Sequence, residues 1–173
     1  RAAALVFNAN QYATANKVTL SGTSQFSDYT NADPIGVIMA GLDAMVMRGN
    51  VMVIGRPAFT KLAMNPKIVK AVLGNAGDSG IATRKQIADL FELEDVLVGE
   101  AWVNTARKGQ AVTLSQTWGK HLALIHRNKT ATTRSGATFG VTAQFGSRIA
   151  GSIPDSSIGL RGGQRVRAGE SVK

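Results

Sequence analysis

The chain has 173 residues, no cysteine, and 20 Lys and Arg against 11 Asp and Glu, a formal charge of +9 with a pI near 10.4. This length suits one ordinary domain, or one carrying an inserted lobe, and allows roughly 70% of the unfolded surface to be buried. The composition excludes disulfides and thiolate metal sites and mildly favours a reducing cytoplasm, and no apolar run long enough for a membrane span and no signal-peptide pattern is present.

The opening "RAAALVFNAN" has no Met, and Ala2 to Leu5 read as the last turns of a helix begun earlier, so the chain is expected to be a piece of a longer protein. Residues 17–30, "KVTLSGTSQFSDYT", alternate imperfectly around Gly22 and predict two short strands about a turn. A helix is expected over 34–48: Asp33 is a good N-cap, Pro34 suits the first helical position, and Arg48-Gly49 closes with a cation and a left-handed stop. Its apolar positions Ile35, Ile38, Leu42, Met45 and Val46 share one face.

"VMVIG", 51–55, is a short β-branched run that reads as a central strand covered on both faces. Pro57 opens one helical piece, Asn65-Pro66 opens a second, and Gly74 stops it before the loop 74–80. Thr83 and Gln86 form a capping box for a short helix burying Ile87, Leu90 and Phe91. Strand patterns follow at 96–104 and 121–126, with the basic turn "ARKGQ" between them. Residues 33–127 thus suffice for one α+β or α/β lobe. In 130–151, Phe139, Val141, Ala143 and Phe145 alternate with small or polar residues, which predicts one long extended strand, and a short strand is expected near Val166.

No reactive constellation withstands its simpler explanation. "GDSG" around Ser79 matches the nucleophile segment of chymotrypsin-like proteases, but His121 and His126 both follow it, and Gly, Asp and Ser serve turns equally well. The two histidines flank a strand five residues apart and point to opposite faces, which is wrong for a shared metal. The loop 74–80 lacks the Lys-Ser/Thr of a phosphate-binding loop. Glu92, Glu94, Asp95 and Glu100 read as a solvated helix exit and strand start, Trp102 and Trp118 as core or interface anchors, and Asn128-Lys129-Thr130 as a chance glycosylation acceptor. The excess of cations suits a polyanion, yet the closest groups, Arg84-Lys85, Arg107-Lys108 and Arg161, Arg165 and Arg167, are dispersed.

The order of segments carries more information. "RAAALVFNANQY", "NKVTLSGTSQFSDYTNADPIGVI", "VMVIGRPAFTKLAMNPKI", "IADLFELEDVLVGEAWVNTARKGQ", "WGKHLALIH" and "ATFGVTAQFG" resemble the major capsid protein of tailed bacteriophages, of the Hong Kong 97 fold. The resemblance implies an α+β architecture in which an axial α/β lobe, 33–127, is inserted into a peripheral domain made of a helix end and long strands, 1–32 and 128–173. It implies a non-enzymatic subunit without cofactor or metal that self-assembles through pentamers and hexamers into an icosahedral head. The further partners are scaffold, portal and packaged double-stranded DNA, with no membrane; the place is the virion, after synthesis in the bacterial host cytoplasm. The family's N-terminal arm and extended loop are not represented, so the oligomeric state of this stretch alone stays open. Candidate subunit or DNA contacts are Arg107, Lys108, Arg148, Arg161, Arg165 and Arg167. The alternatives are a basic nucleic-acid-binding domain and the shell protein of an encapsulin-type nanocompartment.

Overall fold

The run Val51–Gly55 forms strand β1, and all five of its residues are buried. The computed structural model describes residues 2–74, 79–132, 134–141 and 149–169. β1 is the centre of a three-stranded sheet of order β2-β1-β5, with β2 (Asp95–Gly99) parallel to it and β5 (Leu122–Ile125) antiparallel. The register places Val51 beside both Asp95 and Ile125. Successive side chains of a strand point to opposite faces, so a strand covered on both sides must be apolar throughout. Met52 and Ile54 accordingly join the main core, while Val51 and Val53 pack with Ile125, Phe7 and Trp118 on the other face.

The main core is supplied by four short helices. α2 (Pro34–Asp43) contributes Ile38 and Leu42; α3 (Arg56–Ala63) contributes Phe59 and Leu62; α4 (Pro66–Leu73) contributes Ile68; α5 (Arg84–Leu90) contributes Ile87, with Phe91 just beyond it. Their ends follow the sequence signals closely. The Asn65 side chain accepts the Lys67 N–H at 3.0 Å, Gly74 closes α4 at φ +66°, and Thr83 and Gln86 bond reciprocally as a capping box. α1 (Ala2–Val6) leads to Phe7, which meets Trp118 edge-on with ring centroids 5.7 Å apart.

Several expectations are corrected. α2 ends at Asp43 and not at residue 48, and Val46 is wholly exposed. The chain must turn back at once to start β1: the Asn50 N–H donates to the Ile125 carbonyl at 3.0 Å, and Gly49 lies so close to Leu42 and Met45 that a Cβ there would sit 3.2 Å from each. Asp33 occupies the N-cap position, but its carboxylate makes no capping hydrogen bond. Residues 17–30 contain no strand; they hold a single 3-10 turn, Gly22–Ser24. Ser21 N–H donates to Ser24 Oγ at 2.9 Å and Ser24 Oγ donates to the Ser21 carbonyl at 2.7 Å, so this backbone is satisfied locally instead of in a ladder. The 96–104 pattern is interrupted at Glu100-Ala101, after which β3 (Trp102–Asn104) pairs with β4 (Leu114–Gln116) in a separate hairpin.

The chain divides into two compact units, residues 1–129 and 130–173. The second contains the ribbon of β6 (Ile149–Asp155) and β7 (Gly163–Gly169), paired from Ile149 and Gly169 to Asp155 and Gly163, so the strand near Val166 is seven residues long. The extended strand expected around Phe139 is absent over 134–141, where Gly136 at φ +86° follows a turn in which the Thr132 N–H donates to the Ser135 carbonyl at 2.8 Å. Ala143 and Phe145 lie outside the described residues.

Candidate contact surfaces

Arg107 and Lys108 sit in the loop that joins β3 to β4. Asn104 shapes this loop, because its side-chain oxygen accepts the N–H groups of both Ala106, at 3.0 Å, and Thr113, at 3.1 Å. The Thr105 N–H donates to the Thr113 carbonyl at 2.9 Å, the Gln110 N–H donates to the Arg107 carbonyl at 3.1 Å, and Gly109 adopts φ +84°. Glycine reaches that left-handed conformation without a Cβ penalty, so the two cations are presented on a defined turn. Neither has an ion-pair partner among the described residues.

In the second unit Arg165 and Arg167 lie on one face of the ribbon, opposite Ile153 and Gly151, and Arg161 is in the connecting turn. Arg165 Nη2 is 2.5 Å from Asp155 Oδ2, so its charge is engaged within the ribbon. The Asp155 carboxyl is held below the usual carboxylate range by hydrogen bonds from the Ser157 hydroxyl and N–H. Arg148 lies outside the described residues. Of the six candidates, two share a hairpin turn of the first unit, and three share the ribbon of the second and its connecting turn.

The acidic run is more structural than its sequence suggests. Glu92 pairs with Arg48 at 3.4 Å, Glu100 with Arg56 at 3.2 Å and Arg84 at 2.7 Å, and Glu94 with Arg127 at 3.5 Å and with Lys129. Asn50 ties this corner together: its carbonyl accepts the Glu94 N–H at 2.7 Å, its side-chain oxygen accepts the Arg127 N–H at 2.7 Å, and its amide donates to the Arg127 carbonyl at 2.8 Å. The starts of β1 and β2 and the end of β5 are therefore joined through one residue, by its backbone and its side chain. Asp89 and Asp95 have no ion-pair partner among the described residues. Both line an open groove of about 470 Å³ between α5 and β2.

No catalytic arrangement accompanies these surfaces among the described residues. Ser79 is exposed and hydrogen-bonded to neither histidine; His126 Nδ1 meets the Arg48 carbonyl at 3.0 Å, and the His121 ring packs on Phe7 at 5.4 Å. Among the described residues no group of three His, Cys, Asp or Glu side chains is assembled for a metal. The feature that sequence reasoning missed is the exposure of Trp102, which is 60% accessible, and Leu114, which is 61% accessible, on the hairpin. Its available signal was the "GEA" break after 98 followed by two short alternating runs around "RKG".

The fold is mixed α/β and matches that of a phage-related protein of Bordetella bronchiseptica RB50, with a TM-score of 0.67 over 82% of this chain and 45% of that one, at 21% identity. No protein-family model matches the chain. Among curated proteins, it is 51% identical over all 173 residues to the major capsid protein of Pseudomonas phage JBD67, of which it spans 56%. It is 37% identical over 101 residues to the major capsid protein of Burkholderia phage BcepMu, matching 56% of this chain and 32% of that one. The chain is a homologue of phage major capsid proteins, and it spans about half the length, or less, of the curated relatives it matches.

Proposed function

We propose that this chain is the shell-forming part of a phage major capsid subunit of the Hong Kong 97 fold. The observation that carries this reading is the 51% identity across every one of its 173 residues to a protein named for that role. On this reading residues 33–127 are the axial domain, and 1–32 with 128–173 belong to the peripheral domain. The end of the first compact unit at residue 129 supports the second of these boundaries. Residues 1–32 pack within that same unit, with Phe7 against Trp118 and Lys67 Nζ donating to the Ala32 carbonyl at 2.6 Å, so their peripheral assignment rests on the resemblance.

The subunit joins copies of itself as pentamers and hexamers, and repeated heterologous contacts close into a shell. It performs no reaction, belongs to the virion, is made in the host cytoplasm, and meets scaffold, portal and packaged DNA during assembly. The charge of +9 suits a lumen filled with DNA. Negative-stain microscopy and sedimentation of the full-length protein test the reading: rings or closed shells are expected, and a product that stays strictly monomeric under assembly conditions overturns it. An encapsulin-type shell is separated by contents, since particles holding a protein cargo and no nuclease-protected DNA favour that variant.

A further inference from the structure

The hairpin 102–116 is unusual in that none of its residues is buried. Residues directly opposite in an antiparallel pair share a face, so the register Trp102 with Gln116 and Asn104 with Leu114 puts Trp102 and Leu114 together on one side of the ribbon. A solitary two-stranded ribbon is marginal in water, and contiguous exposed apolar side chains at such a place signal a partner. The turn beyond that face carries Arg107 and Lys108, both without an ion-pair partner among the described residues.

The complementary features lie elsewhere in the same unit. β2 is an outer strand of its sheet, and no described strand pairs with its far side. Such an edge offers unpaired N–H and C=O groups to an added strand. The open groove beside it is bounded by α5 and holds Asp89 and Asp95, with Leu97 exposed on the strand itself. Of the other charged groups lining it, Arg84 is taken by Glu100, and Glu94 by Arg127 and Lys129; this leaves Lys85 against the two aspartates and a net negative remainder. An apolar ribbon with a doubly cationic tip faces a strand edge with a net acidic groove.

We propose that the occupant of the groove is a second copy of this chain: the β3–β4 hairpin of one subunit lies along the free edge of β2 in the next. The Trp102 and Leu114 face covers Leu97, and Arg107 and Lys108 reach Asp89 and Asp95. The two surfaces differ, so the contact is head-to-tail and closes into a ring when the rotation permits. A hairpin of this size covers only part of a standard interface of roughly 1,600 Å², so the contact is one among several multiplied by the number of copies. This inference rests on the self-assembling capsid reading and names the surfaces that perform it.

The test uses the full-length protein with any cysteine outside these 173 residues replaced by serine; within them there is none. Arg107→Cys and Asp89→Cys are introduced singly and together, and assembled protein is treated with a short bismaleimide. The double variant is expected to give a ladder of covalent multimers, and each single variant to remain monomeric on a denaturing gel. In parallel, Asp89→Lys with Asp95→Lys lowers the assembled fraction by about tenfold, as does Trp102→Ser, the scale of losing one energetically significant interface residue. Adding Arg107→Glu and Lys108→Glu to the first pair restores assembly. Shells that form normally but yield no ladder, or a single variant that cross-links to dimers, overturn the hairpin contact and leave the capsid reading standing. Failure of the unsubstituted protein to assemble overturns both. Unchanged circular dichroism of each variant confirms that an assembly defect is not a folding defect.

Discussion

Replacing Gly55 with alanine tests the joint that holds the sheet to the helical layer. Gly55 ends β1, precedes α3, and donates its N–H to the His121 carbonyl at 3.0 Å. A Cβ at this position would lie 2.8 Å from the Trp118 carbonyl oxygen and 3.0 Å from the Gly119 carbonyl carbon, and would overlap the Gly119 carbonyl oxygen outright. These are backbone atoms, and Gly119 is itself fixed at φ +57°, so no side-chain rotation relieves the overlap. Restoring an ordinary carbon–oxygen contact of about 3.3 Å requires β1 and the turn before β5 to part by about 1 Å. That separation strains or breaks the Gly55 hydrogen bond, worth about 1 kcal/mol, and adds an overpacking cost of about 1–3 kcal/mol. The expected loss is therefore about 2–4 kcal/mol, a fall in Tm of about 5–15 °C for a chain of this size. Urea and thermal unfolding followed by circular dichroism measure it. Gly151→Ala is the comparison, because nothing lies within 4 Å of a Cβ there, and it should be neutral or stabilise by up to about 1 kcal/mol. A Gly55→Ala protein within about 0.5 kcal/mol of the parent would refute the reasoning.

Thr83→Ala removes the acceptor that meets the Gln86 N–H at 3.3 Å and should cost about 1 kcal/mol in urea unfolding, with Thr83→Ser nearly neutral. Trp118→Ala loses the Phe7 contact and the cover of the second core, and should destabilise by about 2 kcal/mol or more, whereas Trp102→Ala changes stability by less than about 0.5 kcal/mol. Equal effects from the two tryptophans would show that their difference in burial has been misjudged. The Glu94 carboxyl is held below the usual glutamate range, first by the hydrogen bond from Lys129 and then by the charges of Lys129 and Arg127. Its folded value lies below the unfolded one, so its stabilisation is complete above the unfolded value of about 4.3 and disappears as pH falls through the folded value. The Tm difference between the parent and Glu94→Gln should hold from neutral pH to about pH 5 and then close in acid; a gap that persists undiminished below the carboxylate range contradicts this assignment.

Elements with local signals were legible in the sequence. The continuous apolar run of β1, the Asn65-Pro66 start of α4, the Gly74 stop and the Thr83–Gln86 capping box each use chemistry within a few residues, and each forms where its pattern lies. The failures occur where the outcome depends on a distant partner. Met45 and Val46 continue the helical spacing of Ile38 and Leu42, but helix α2 stops at Asp43 because Gly49 and Asn50 must reach β5. The alternation of residues 17–30 never meets a second strand, so Ser21 and Ser24 satisfy the backbone themselves. "VLVGEAWVN" divides because Gly99 abuts the Trp118 ring and Glu100 is drawn to Arg56 and Arg84, contacts 16 to 44 residues away in sequence.

The candidate surfaces were legible only in part, and for a related reason. "ARKGQ" was visible as a basic turn, yet nothing local separates Trp102 from Trp118, both set in short strand-like runs with a polar neighbour. Apolar patterning reports that a side chain needs cover, and it is silent about whether the cover belongs to the same chain. For Trp118 the cover is Phe7 and the second core; for Trp102 and Leu114 no described residue of the first unit buries them. In a chain whose relatives are named as capsid proteins, the positions where pattern predicts burial and the fold leaves exposure are those where the proposed contact has a neighbouring copy supply the missing side. Arg107, Lys108, Asp89 and Asp95 extend the question to charge, since none of them has an ion-pair partner among the described residues.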